Sequence, residues 1–553
     1  MKASGSFQND MQLGAPEDEK RGCGRWLEVA ALAVILIIAL LLRFYKLDVS
    51  LWSDEVLTHR GAAVSLWEAI RHRTHFLYYV LAHLSLMGDD NEVMLRLPSV
   101  LGGVAGIAAL YALARCVAGI RAAFIAALLL TFSTYHVDHS QEARYYALVM
   151  LASVLMTWAL WRAITSGGWK SWAAFVFATN FGVATHLTVL PYLCVLVAAA
   201  AACLLLQCRK DRRQLLRQGS VLALCTLLSF GSIVLSMALR GESPNLSGIV
   251  LEDAEDDEGA KPQWRDLRSH EAEFRLSPRD YMRYLREFSP IESPVLRGLL
   301  LIPMLLGAAV LLRRAPVLAL LIAAQFVLVP LPFFFIDVTH WFNDRYFCSV
   351  VPFYSLFAGA GLVTLVEGCG KLVRSLAGEG DSRSRWGRVI ECGVIAALAV
   401  AVLVCAAQEN LNRYRTLPPR DWKKLASDMS KTLQPGDTVA FASLASVRTR
   451  ARAESERKYK SANAALLFYL QRAIEERRPG QADMIIGTLD LAPAGTTDQI
   501  EDVMRKSRHH TIYFVSREEE GLPAEVQQKL YSLPVKQINR YRGLKVRIVA
   551  PGA

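Results

Sequence analysis

The stretch Val29-Ala30-Ala31-Leu32-Ala33-Val34-Ile35-Leu36-Ile37-Ile38-Ala39-Leu40-Leu41-Leu42 carries no charge and no helix breaker, and it decides the class of the molecule. Together with Leu27 it makes an apolar run over about 27–42 that reads as a membrane span. The residues before it are polar, and Lys20, Arg21 and Arg25 precede the run. That pattern predicts a cytoplasmic tail over 1–26 followed by an uncleaved signal anchor. Just beyond the run stands Leu51-Trp52-Ser53-Asp54-Glu55, two adjacent carboxylates outside the membrane. Holding like charges together beside a low-dielectric boundary costs solvation free energy, so a chain that does so tends to use one of them. Asp54 is therefore the candidate base, with Glu55 beside it.

The rest of the composition agrees with a membrane protein. Of 553 residues, 53% are hydrophobic, and Val189–Leu206 and Val394–Ala407 are further long runs without charge. The net charge of +11 would suit a nucleic-acid binder, but the basic residues sit in short connectors between apolar runs. Arg115/Arg121, Arg209/Lys210/Arg212/Arg213/Arg217, Arg313/Arg314 and Lys371/Arg374/Arg383/Arg385/Arg388 follow the positive-inside pattern, which excludes nucleic acid as the expected partner. The ten cysteines lie mainly within or beside apolar runs, and the stretches 241–297 and 408–553 contain none. No disulfide framework or zinc spacing results.

In chain order, alternation predicts about eleven transmembrane helices over 27–407, with basic connectors on one side and acid- or His-bearing loops on the other. The short run 76–82 is too short to cross and predicts an interfacial helix with Tyr78 and Tyr79 at headgroup depth. Residues 135–144 read as a short exported loop, and 252–258 as an acidic, disordered run. Ser277-Pro278-Arg279-Asp280 reads as a helix start, followed by Tyr281, Tyr284, Leu285 and Phe288 on one face. Residues 408–553 have the composition of a separate α/β domain, with strands expected at 438–441, 484–486, 511–515 and 544–549 and helices at about 463–477, 497–507 and 523–531. The fold class is thus a polytopic α-helical membrane protein carrying a C-terminal exported α/β domain.

Four constellations carry candidate chemistry. Asp54 and Glu55 either cap the helix that follows or supply a carboxylate that takes a proton from an incoming hydroxyl or amine. Asp138, Glu142, Arg144 and Tyr145 either anchor the next span or hold sugar hydroxyls, a divalent cation (Mg or Mn) and phosphate. No protein metal site is expected and no other cofactor is indicated. His186, at a turn flanked by Thr185 and Thr188, is a satisfied polar residue or a substrate contact. Arg345, with Tyr346, is a local ion pair and belt residue or a clamp for a lipid phosphate.

Read together, Trp52-Ser53-Asp54-Glu55, Leu95-Arg96-Leu97-Pro98-Ser99, Ser140-Gln141-Glu142-Ala143-Arg144-Tyr145-Tyr146, Thr185-His186-Leu187 and Arg345-Tyr346-Phe347 resemble, in that order, the family-39-like glycosyltransferases of the GT-C superfold. These are relatives of the protein O-mannosyltransferases and of the lipid A aminoarabinose transferase. The resemblance spans roughly 27–410. It implies a polyprenyl-phosphate-linked sugar donor, a lipid, glycan or protein acceptor, transfer on the exported face of a bacterial inner membrane, and inversion with Asp54 as base. Relatives often begin the short interfacial helix Pro-Pro-Leu-Tyr, sometimes after a Glu-Lys pair. Here Arg73-Thr74-His75-Phe76-Leu77-Tyr78 stands instead, so Arg73 or His75 would replace a phosphate-binding lysine. A transporter or flippase and a non-catalytic envelope assembly protein are the alternatives. Charges gathered at exported ends, rather than at mid-membrane, favour the enzyme.

Overall fold

The computed structural model describes residues 22–71, 76–209, 211–231, 234, 276–289, 293–335, 344–377, 421–442, 465–493, 497–507, 509–517, 524–541 and 544–549, with scattered helical positions between 393 and 412. The opening apolar stretch forms the helix Gly22–Phe44. In a bilayer this is the outcome the chemistry allows, because backbone N–H and C=O groups must be bonded within the segment. Its last carbonyls, which no helical turn can satisfy, accept from the Gln141 amide: Leu42 and Arg43 at 3.2 Å and Tyr45 at 2.9 Å.

Among the described residues six helices are long and apolar enough to cross a membrane. A bent pair, Ile120–Phe132 with Thr134–Gln141 at 58°, makes a seventh if taken as one span. The chain is a multi-pass membrane protein. Trp169–Thr185, Arg212–Leu228 and Pro294–Arg314 occupy three more of the spans expected from the sequence. The last expected span, about 389–406, falls almost wholly outside the described residues, as do the acidic run 252–258 and both Arg73 and His75.

Helices meet closely where side chains vanish. A Cβ on Gly307 would collide with the Phe357 carbonyl, and one on Gly361 with the Pro303 carbonyl, so Pro294–Arg314 and Val351–Ala377 cross at backbone contact. One end of the bundle is set by charge: Arg115 pairs with Glu28, and Arg121 Nη1 lies 3.6 Å from Glu367 Oε1. The segments 45–71, 76–91, 133–145 and 186–188 and the 3-10 turn Asp344–Val350 gather at the other end.

Two local expectations are corrected at that other end. Residues 135–144 are not a loop: Thr134–Gln141 is a helix, capped by Ser133, whose hydroxyl accepts the His136 N–H at 3.4 Å. Thr134, His136, His139 and Ser140 are buried against protein rather than lipid, which is what allows a helix of this composition there. The helix Leu77–Leu86 is as short as expected, but Tyr78 and Tyr79 are only 1% and 5% exposed, and the Tyr78 hydroxyl meets Ser99 Oγ at 2.8 Å. Its tyrosines therefore pack into the protein, not the headgroups. The helix Pro278–Glu287 forms as read, with Ser277 accepting from the Asp280 N–H at 3.1 Å, Tyr281 and Phe288 buried and Arg279, Arg283 and Arg286 exposed.

The C-terminal region holds a five-stranded sheet in the order β2-β1-β3-β5-β4: β1 Thr438–Ala442, β2 Asp490–Pro493, β3 Ile512–Arg517, β4 Val535–Tyr541 and β5 Leu544–Val549. Strand β1 runs parallel to β2 and β3, whereas β5 is antiparallel to β3 and β4. The strand expected at 484–486 is instead the helix Ala482–Gly487, and the strand comes just after it as β2. Three consecutive apolar residues fit a helix face as well as a strand: Ile485 is buried but Met484 is 54% exposed. Strand β4, Val-Lys-Gln-Ile-Asn-Arg-Tyr, was not expected, because an edge strand with Lys536 and Arg540 lacks apolar alternation.

Candidate active site

The helix Ser53–Ala62 presents the two adjacent acids in different environments. Glu55 is fully buried and held by four donors. Arg96 Nε and Nη2 reach its two oxygens at 2.7 and 2.6 Å, the Ala143 N–H donates at 2.7 Å and the Trp52 N–H at 3.2 Å. The Trp52 bond closes the helix N-terminus, so the capping role weighed for the acid pair falls to Glu55. Asp54 points elsewhere, with its side chain 26% exposed and Oδ2 4.0 Å from Arg345 Nη1. The guanidinium of Arg345 lies 5.0 Å from the Trp52 ring centroid and 5.7 Å from that of Tyr146, aromatic faces that suit a planar cation.

Glu142 closes the other side. It ends the helix Thr134–Gln141 and receives His139 Nδ1 at 3.1 Å. Burial pushes its carboxyl up, but the His139 hydrogen bond and the Arg345 and Arg144 charges outweigh this and hold it at about 2. Arg345 thus faces both Asp54 and Glu142. Arg144 reaches Thr58 Oγ1 and Tyr145 Oη, each at 3.4 Å, with its guanidinium 4.9 Å from the Tyr145 ring centroid. Thr58 lies one turn beyond Asp54 and bonds its carbonyl at 2.9 Å, so Arg144 is fastened to the helix that carries Asp54.

Tyr145 stacks on His186, centroids 3.6 Å apart and planes 12° from parallel. His186 Nδ1 lies 2.9 Å from the Thr188 hydroxyl and 3.1 Å from the Thr188 backbone nitrogen, so Thr188 fixes the ring against Tyr145. Asp138 is half-buried, and its carbonyl accepts the Glu142 N–H at 3.1 Å. The Tyr346 carbonyl accepts the Tyr192 hydroxyl, tying the 344–350 turn to the helix Val189–Gln207. Among the described residues no group of three or more His, Cys, Asp or Glu side chains is arranged to hold a metal ion.

Two residues gained no role from sequence reasoning. Arg96 also donates to the Leu47 and Val49 carbonyls, each at 2.7 Å, and so pins the segment that leads to Asp54. Ser99 donates to the Arg144 carbonyl at 2.8 Å. The available signal was an arginine in the second turn of a helix that is then uncharged up to Arg115, where a charge must find a partner.

Described helices stand at ten of the expected span positions and the acids and arginines gather at one end of the bundle, and the likeness to solved structures that follows makes this a GT-C fold. Residues 72–238 match the family model described as dolichyl-phosphate-mannose-protein mannosyltransferase, which agrees with the resemblance over the part of the chain that holds Leu95–Ser99, Ser140–Tyr146 and Thr185–Leu187. The solved structure of ArnT from Cupriavidus metallidurans in the apo state is 13% identical with a TM-score of 0.55, covering 95% of this chain and 99% of that one. The same protein bound to undecaprenyl phosphate is 13% identical with a TM-score of 0.52, covering 96% and 100%. At that identity the likeness establishes the fold. No curated protein sequence matches the chain.

Proposed function

We propose that the protein transfers a sugar from a polyprenyl-phosphate donor to an acceptor on the exported face of a bacterial inner membrane, inverting the anomeric centre, with Asp54 as base. The observation that carries this reading is the convergence of Asp54, Glu142, Arg144 and Arg345 from three separate segments at the end of the bundle opposite the basic connectors. The undecaprenyl phosphate in the similarly folded ArnT structure agrees with a lipid-phosphate donor.

In this reading an acceptor O–H or N–H hands its proton to Asp54 as the nucleophile attacks the sugar C1. The C1–O bond to phosphate breaks, and polyprenyl phosphate departs with the bonding pair. Phosphate leaves well without protonation, so stabilising its charge and positioning the acceptor matter most. Arg345, and Arg144 beside it, would receive the phosphate oxygens. Glu142, ionised through the neutral range, would accept from sugar hydroxyls, and the Tyr145–His186 stack would offer a flat wall. Glu55, with its oxygens already engaged by Arg96 and two backbone N–H groups, serves as a positioning residue for its neighbour.

Membranes containing the protein, incubated with a panel of radiolabelled polyprenyl-phosphate sugars, should yield a labelled product that membranes lacking it do not. A panel covering the common hexoses and pentoses that gives no protein-dependent product would sink the reading.

A further inference from the structure

The C-terminal α/β region makes polar contacts with the segment on either side of Asp54. The helix over 465–477 places Arg472 one turn beyond Phe468 and Tyr469, at i+4 and i+3. The Leu51 N–H donates to the Tyr469 hydroxyl at 2.7 Å, and that hydroxyl donates to Glu92 Oε1 at 3.1 Å. Both Leu51 and Tyr469 are buried, at 1% and 4% exposure, so neither bond is a loose surface contact. Lys423 joins them: its Nζ lies 3.2 Å from Glu92 Oε1, and its N–H donates to Ser50 Oγ at 3.2 Å.

A second anchor grips the far side of Asp54. Arg472 pairs with Asp90, and Asp90 Oδ1 lies 2.6 Å from His59 Nε2, on the same helix as Asp54 and five residues further on. The Phe468 ring meets His59 edge-on at 4.9 Å and carries the Arg472 guanidinium at 4.5 Å. From the membrane side, Arg96 holds the carbonyls of Leu47 and Val49, and Glu92 lies one turn before it on the same helix. The backbone leading to Asp54 is therefore held on its carbonyls by a membrane helix and at the Leu51 N–H and Ser50 hydroxyl by the C-terminal region.

We infer that the C-terminal α/β region is a positioning element of the active site: through Tyr469, and through Arg472 with Asp90 and His59, it sets where the Asp54 carboxylate stands relative to Arg345. This rests on the reading of Asp54 as the base. It gives the region a role in the chemical step without contact to donor or acceptor.

The test is steady-state kinetics on the purified full-length protein carrying Tyr469→Phe, which removes the shared hydroxyl and keeps the buried ring. Misplacing a reacting group by even a fraction of an ångström lowers the chemical rate steeply. The expected result is a fall in kcat of about tenfold or more, with KM for the polyprenyl-phosphate donor within about twofold of wild type. Limited proteolysis should show the C-terminal region still folded. An unchanged kcat overturns the inference, and so does a raised KM with kcat unchanged, which would make the region a binding element instead. Arg472→Gln, read the same way, decides the matter if Tyr469→Phe fails to fold, and Arg472→Lys should recover part of kcat. Failure of the underlying reading is distinct, since Asp54→Asn would then turn over at the wild-type rate whatever Tyr469→Phe does.

Discussion

Truncating Glu55 separates the two neighbouring acids in one experiment. Glu55 and Arg96 are 0% and 3% exposed, and the carboxylate receives two guanidinium arms and two backbone N–H groups. Each charge-assisted bond is worth about 1.5–3 kcal/mol in isolation, but bonds sharing one acceptor do not add. Removing one member of a buried ion pair costs about 3–5 kcal/mol because the other charge is stranded, and that is the figure expected for Glu55→Ala. Glu55→Gln keeps an oxygen for one Arg96 arm and sets an amide N–H against the other donors, so its cost should fall near the lower end. Thermal unfolding in detergent should show the midpoint of Glu55→Ala lowered by several degrees. Transfer by Glu55→Gln, assayed below its midpoint, should be reduced but present. Arg96→Ala should cost about as much, and the double variant should cost less than the sum of the two by about 2–3 kcal/mol. Loss of all transfer in Glu55→Gln at an unchanged midpoint would refute the reasoning, because it would make Glu55 the reacting carboxylate.

Other consequences follow from the arginines and from Glu142. Arg345→Ala should weaken donor binding roughly ten- to a hundredfold, the loss of one or two charge-assisted bonds, with Arg345→Lys intermediate; equilibrium binding of a lipid-phosphate analogue checks this. Glu142 is held at about 2 against an ordinary value of 4.5. A carboxylate lowered on folding contributes stability that is complete above pH 4.5 and is lost as pH falls toward 2, at most about 3 kcal/mol here. Glu142→Gln should therefore unfold more readily at pH 7 and show a flatter loss of stability between about pH 4.5 and 2. Thermal midpoints across that range decide it, and an identical acid limb in both proteins would count against the Glu142 environment described.

The membrane bundle was legible because its signal is local. A run such as 29–42 has one structural outcome in a bilayer, and basic connectors report which helix ends share a side. The partition of Asp54 from Glu55 was not legible, because it depends on Arg96, 41 residues along the chain, and on the Ala143 N–H, 88 residues along. Thr134–Gln141 escaped for a related reason. Its Tyr, His, Asp and Ser look like a loop until neighbouring helices bury them, and only the bend places Glu142 beside Arg345. In the sheet, β4 carried too few apolar residues for periodicity to find it, and the apolar triplet 484–486 was short enough to fit either period. Tyr469 gave no signal at all, since a tyrosine on an amphipathic helix is ordinary core until its hydroxyl is seen to meet Leu51 and Glu92.

The most direct test is Asp54→Asn in the purified protein. The substitution keeps the size of a half-buried side chain 4.0 Å from Arg345 and removes its capacity to take a proton. Product formation from the polyprenyl-phosphate sugar should vanish while the thermal midpoint stays put and donor still binds. Turnover at the wild-type rate would contradict the account at its centre.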